Sequence, residues 1–181
     1  MDREKAIKAI EDLLDALGED RTREGLKETP RRVADAFAEF VSGEGKTAKE
    51  HLTKTFACSG GEIVIEKDIE FSSTCEHHLM PFFGKIAIAY IPNGKVVGLS
   101  KLARTVEVFA KRLQLQERLT DEIAEEIMKY LSPKGVMVVC EAVHTCMTCR
   151  GIKKADSKTL SYSVKGDFPE SNKKEVLSLI K

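Results

Sequence analysis

The sequence predicts an α+β fold built on an antiparallel sheet and preceded by N-terminal helices. Three observations carry this. Helical periodicity dominates the first fifty residues, strand-like texture begins only near residue 61, and the later helices fall in a pair between strands. Helices that are grouped rather than alternating with strands favour α+β over a doubly wound parallel fold. A chain of 181 residues suits one domain with a helical appendage. The expected division is residues 1–55 for the helical segment and 56–181 for the sheet domain.

The elements follow in order. Ile7, Ile10, Leu13, Leu14 and Leu17 recur at helical spacing, with Gly18 as the stop. A second helix opens at "TPRR", where Thr29 can cap and Pro30 suits the first turn; Val33, Phe37, Phe40 and Val41 form its apolar face. "SGEGKTAKE" reads as a loop with room for a short helix, and His51 in this charged region is expected to be solvated. "EIVIEKDIEF", "GKIAIAYIP" and "NGKVVGL" read as strands and a turn. "SKLARTVEVFAKRL" is a helix with Ser100 as its cap. "TDEIAEEIMKYLS" is another, capped by Thr120, with Asp121 and Glu122 near its positive end. "GVMVVCEAVHTCM" and "KTLSYSVKG" are strands, and "ESNKKEVLSLI" is a final helix.

Composition narrows the function. Lys and Arg number 29 against 29 Asp and Glu. With no global positive field, an anionic partner must be met by a local cluster of cations, and nucleic acid is not expected as the main partner. No apolar run approaches membrane-spanning length and the N-terminus lacks an apolar signal core, so a cytoplasmic setting is expected. There the five cysteines read as metal ligands, core residues or thiols rather than disulfides. Cys140 belongs on an apolar strand and should be core.

The chemistry concentrates in "SSTCEHHLMPFFG" and "HTCMTC". Cys75 and His78 have the separation at which a tight loop lets two side chains bind one ion. If the later strand continues, His144 and Cys146 face one side and Cys149 the other. That arrangement favours an open site of Cys75, His78 and Cys146, with His77 and His144 nearby to move protons. The alternative is a closed structural site that recruits Cys149 as a fourth ligand. Glu76 is expected to be structural, and Leu79 to Phe83 to pack the loop against the sheet.

The blocks "CEHHLMPFFGKIAIAYIP", "GLSKLARTVEVFAKRLQLQERLT" and "EAVHTCMTCRGIKK", in this order, closely resemble GTP cyclohydrolase I. The resemblance implies the tunnelling fold, with helices on one face of the sheet. It also implies a homodecamer of two pentamers with active sites shared between subunits. It implies one Zn2+ per subunit on Cys75, His78 and Cys146, with GTP and water as substrates. His77 and His144 match the catalytic histidines. Gln116 and Glu117 match the guanine-recognition pair. Ser100, Lys101, Arg104 and Arg150 match residues around the ribose and triphosphate, with Ser100 assisting ribose opening. Arg32 matches an arginine that reaches the phosphates from another subunit. The physics of Glu117 agrees, since one carboxylate can accept both N1–H and the 2-amino group of guanine and would repel the acceptor N1 of adenine.

Overall fold

Two helices form the first of two units, Met1–Ser42; the second runs from Gly43 onward. The structure, a computed structural model, describes residues 1–180. Helix α1 spans Arg3–Ala16, and the Asp2 carboxylate accepts the Lys5 N–H at its start. Gly18 takes the left-handed conformation, φ +78°, that ends the helix as the sequence predicts. Helix α2 spans Thr29–Phe40 with Pro30 in its first turn. Thr29 lies inside the helix rather than capping it, and its hydroxyl donates to Gly25 O. Leu14 of α1 and Pro30 and Ala34 of α2 are buried.

The second unit is organised by a five-stranded sheet in the order β5-β2-β3-β6-β7. Its members are β2 (Val64–Cys75), β3 (Met80–Ile91), β5 (Leu113–Gln114), β6 (Gly135–His144) and β7 (Thr159–Gly166). All neighbours pair antiparallel except the short β2–β5 contact. β1 (Thr55–Ala57) and β4 (Lys95–Val97) make a separate two-stranded ribbon. The helices are α3 (Lys49–Leu52), α4 (Leu99–Ala110), α5 (Gln116–Tyr130), α6 (Thr145–Thr148) and α7 (Glu170–Leu179). The α+β expectation is met.

Strand alternation sorts the core into two layers. Ile86, Ile88 and Tyr90 of β3 and Val136, Val138 and Cys140 of β6 point to one face. There they meet Leu52 of α3, Leu102, Val106 and Phe109 of α4, and Leu119, Ile123 and Ile127 of α5. Most of these side chains are fully buried, each worth about 1.5–3 kcal/mol relative to exposure. Ala87, Ala89, Met137 and Val139 point the other way, where Phe168 and Val176 of the C-terminal segment cover them. The main helical layer thus lies on one face, with α7 added over part of the other. Gly84 allows close strand pairing: a Cβ there would stand 2.0 Å from Glu141 O.

Several boundaries differ from the sequence reading. α4 starts at Leu99 with Gly98 as its cap, so Ser100 is inside the first turn. α5 starts at Gln116 with Leu115 as its cap, five residues earlier than a Thr120 cap would set it (120 − 115). Thr120 instead donates its hydroxyl to Gln116 O, the back-bond a mid-helix threonine makes. His51 is not solvated: its side chain is only 14% exposed, on a helix that packs against α4 and α5.

Candidate active site

Strand register gathers the expected groups at one end of the sheet. Cys75 closes β2 opposite Met80 at the start of β3. Two residues further along, Phe82 faces His144 at the end of β6. Between β2 and β3 the chain turns within four residues. Leu79 N–H donates to Cys75 O at 2.8 Å, and Leu79 takes a left-handed φ of +53°. This turn swings His78 back so that its Nδ1 lies 3.7 Å from Cys75 Sγ. Cys146 arrives from α6, immediately after β6.

The donor atoms of Cys75, His78 and Cys146 all lie within 4.8 Å of one another. Zn–S and Zn–N bonds of about 2.3 and 2.1 Å in a tetrahedron require donor separations of about 3.5–3.8 Å. The Cys75–His78 distance already meets this. Burial, then the neighbouring Cys75, push the Cys146 thiol pKa up. A divalent cation reverses that, because it stabilises both thiolates. Cys75 is buried while His78 is exposed, so the triad is walled on one side and open on the other. The residues present therefore fit a metal with a free coordination position.

Cys149 stands apart from the triad, but for a different reason from the one strand alternation offers. β6 ends at His144, and the chain enters the short helix α6. Cys149 caps that helix, exposed, with its thiol donating to Thr145 O at 2.8 Å. Cys140 is core, as expected; burial pushes its thiol up to about 12.

His144 is held by two contacts. Its ring stacks on Phe82 with centroids 4.7 Å apart and planes 3° from parallel. Its Nε2 is 2.8 Å from Gln116 Oε1. Burial lowers its pKa, opposed by the charge of Glu117 nearby. Glu117 is exposed at the start of α5 and Gln116 is buried beneath it. His77 is exposed, edge-on to His78 at 6.2 Å between ring centroids. Arg150 is also exposed, and its charge acts on Cys146.

The loop residues divide sharply. Phe82 is fully buried, but Leu79 and Phe83 are about half exposed. Period two lets only alternate side chains of β3 reach the core, so the segment does not pack as a block. Glu76 is paired with Arg118 of α5, which also donates to Gln114 Oε1 and Leu113 O. Its role is to fasten the ligand loop to the helix that carries Gln116 and Glu117. Neither this pair nor the Phe82–His144 stack has a local signal, since 42 and 62 residues separate the partners (118 − 76 and 144 − 82).

Ser100, Lys101 and Arg104 lie elsewhere. Val97, just before α4, donates its N–H to the Tyr90 hydroxyl. Tyr90 is ten residues along β3 from Met80 (90 − 80), roughly 30 Å at about 3.3 Å per residue. α4 then runs back toward β5, which pairs with Thr74 and Cys75. Within one chain, the first turns of α4 therefore occupy the opposite end of the sheet from the Cys/His/Cys triad. The charges of Lys101 and Arg104 act there on His51, whose pKa is lowered mainly by burial. Arg32 is exposed on α2 in the first unit.

The family model for GTP cyclohydrolase I matches residues 6–181. The chain belongs to the GTP cyclohydrolase I family. Relatives agree across nearly the full length. A Clostridium kluyveri protein named GTP cyclohydrolase 1 is 60% identical over 168 residues, covering 93% of this chain and 91% of that one. One of the same name from Clostridium perfringens is 56% identical over 182 residues, at 99% and 98% coverage. A third, from Carboxydothermus hydrogenoformans, is 53% identical over 183 residues, at 99% and 95% coverage. Among the described residues, no helix is long and apolar enough to cross a membrane.

Proposed function

We propose that this chain is a Zn2+-dependent GTP cyclohydrolase. It opens the imidazole ring of GTP by hydrolysis, releases formate and yields 7,8-dihydroneopterin triphosphate, the first step toward tetrahydrofolate and other pterins. The observation that carries the reading is the convergence of Cys75, His78 and Cys146 beside His144 and Glu117, in a member of this family. A cytoplasmic setting keeps the two thiol ligands reduced.

Cys75, His78 and Cys146 would hold the ion; when bound, Zn2+ lowers the pKa of a water toward neutrality and so supplies a nucleophile. The protein's side chains do the rest. Glu117 accepts N1–H and the 2-amino group and orients the base. His144 gives a proton to purine N7, which makes C8 electrophilic. His77, exposed beside the ligand loop, carries protons in the hydrolytic steps. Arg150 offers a forked donor to the phosphates, and Ser100 assists ribose opening. Lys101 and Arg104 anchor the triphosphate as a compact cation and a forked one, with Arg32 as a further contact.

A single chain holds the Cys/His/Cys triad and the α4 cations at two ends of one sheet. We therefore propose that the site is completed between subunits of a ring-shaped homo-oligomer, a decamer of two pentamers. A heterologous interface of that kind brings the α4 end of one subunit to the metal end of the next.

Formate release from GTP, GDP and ATP tests the activity. GTP should react, GDP more weakly because it lacks one phosphate for the cationic cluster, and ATP at a rate at least about a thousandfold lower, since it presents an acceptor where Glu117 needs a donor. Zinc-loaded protein that gives no formate from GTP, or equal rates from ATP, overturns the proposal.

A further inference from the structure

We propose that Gln116 is a positioning residue that fixes the tautomer of His144, holding the ring hydrogen on Nε2 and leaving Nδ1 as the unprotonated nitrogen of the neutral ring. The tautomer follows from hydrogen-bond polarity alone; only the identity of the substrate rests on the GTP cyclohydrolase reading.

The family resemblance assigns Gln116 to guanine, yet its side chain is 2% exposed and committed inside the protein. Its Nε2 lies 3.0 Å from Cys140 O, 3.0 Å from Thr159 O and 3.1 Å from Ser161 Oγ. Carbonyl oxygens only accept. A reversed amide would set Oε1 against two of them, so the nitrogen must face this side. Oε1 then faces His144 Nε2 at 2.8 Å. An amide oxygen also only accepts, so His144 Nε2 must carry the hydrogen.

The neighbouring hydroxyls agree. Thr120 donates to Gln116 O at 2.7 Å. Its oxygen is left to accept from Ser161 at 2.9 Å, and the Ser161 oxygen can accept from Gln116 Nε2. The two hydrogens of Gln116 Nε2 are shared among its three acceptors, every donor in the chain has an acceptor, and no step requires two donors to meet. The stack on Phe82 opposes rotation of the ring out of this register. Nδ1 has no hydrogen-bond partner among the described residues, which leaves it as the ring nitrogen not already committed to the protein. The consequence for specificity is that Glu117, not the Gln116 side chain, reads the guanine edge.

The test needs no turnover. Solid-state 15N spectra of histidine-labelled, zinc-loaded protein, taken where the imidazole is neutral, report the tautomer directly; the signal is assigned by its loss in His144→Ala. We expect one population, pyrrole-like at Nε2 and pyridine-like at Nδ1. A wild-type spectrum with the hydrogen on Nδ1, or an even mixture, overturns the proposal. Gln116→Met adds a kinetic readout. It should mix the tautomers and lower kcat by about tenfold to a hundredfold, with KM for GTP changed less than about twofold. A loss borne mainly by KM, with the tautomer unchanged, returns Gln116 to guanine contact. Wild-type protein that releases no formate from GTP overturns the functional reading, while the spectra still decide the tautomer.

Discussion

Cys146→Ala should lose both the bound metal and activity. The substitution leaves two donors, Cys75 and His78, too few to hold Zn2+ against solvent. Losing the ion removes several kcal/mol of transition-state stabilisation, so formate release should fall at least about a thousandfold. Cys149→Ala is the matched control. That thiol is exposed and turned to Thr145 O, so metal content and rate should stay within about twofold of wild type. Metal analysis and formate assay on the same samples separate the two outcomes. If Cys149→Ala empties the site, the centre is a closed four-ligand structural site and the catalytic reading fails.

Two defective chains should restore each other. Cys146→Ala damages the metal end of the sheet. A Lys101→Ala/Arg104→Ala double variant damages the α4 end and removes two charge-assisted contacts, which should lower kcat/KM at least about a hundredfold. If each site takes its metal from one subunit and its cations from the next, a random co-assembled mixture contains intact sites. About one site in four would carry both sound halves, and activity should recover to about a quarter of wild type. Co-expression of differently tagged chains, with formate release measured on the doubly purified oligomer, gives the result. Activity no higher than that of the better parent would place the whole site within one chain.

Much of this was legible in sequence because local periodicity encodes it. Gly18, Pro30 and the apolar stripes of α1, α4 and α5 announce their elements through helical spacing. The triad was legible because Cys75 and His78 are three residues apart, the spacing of a tight ligand loop, and Cys146 sits in a cluster of unusual residues. What failed depended on tertiary context. Thr120 has a capping residue's chemistry but spends its hydroxyl on Gln116 O, since α5 begins where β5 releases the chain. His51 looked solvated in a charged stretch, yet helix packing covers it. Strand alternation separated Cys149 from Cys146 although the strand had already ended at His144. The stack of Phe82 on His144 depends on the β3–β6 register and the burial of Gln116 on the packing of α5 against β6 and β7, neither of which a local pattern specifies.

Reconstitution tests the central claim most directly. Protein stripped by a chelator is titrated with Zn2+, and bound metal and formate from GTP are measured on the same aliquots. The account predicts almost no formate from stripped protein, then a linear rise that levels off at about one Zn2+ per chain. Full formate release from metal-free protein, or none with one Zn2+ bound per chain, would contradict it.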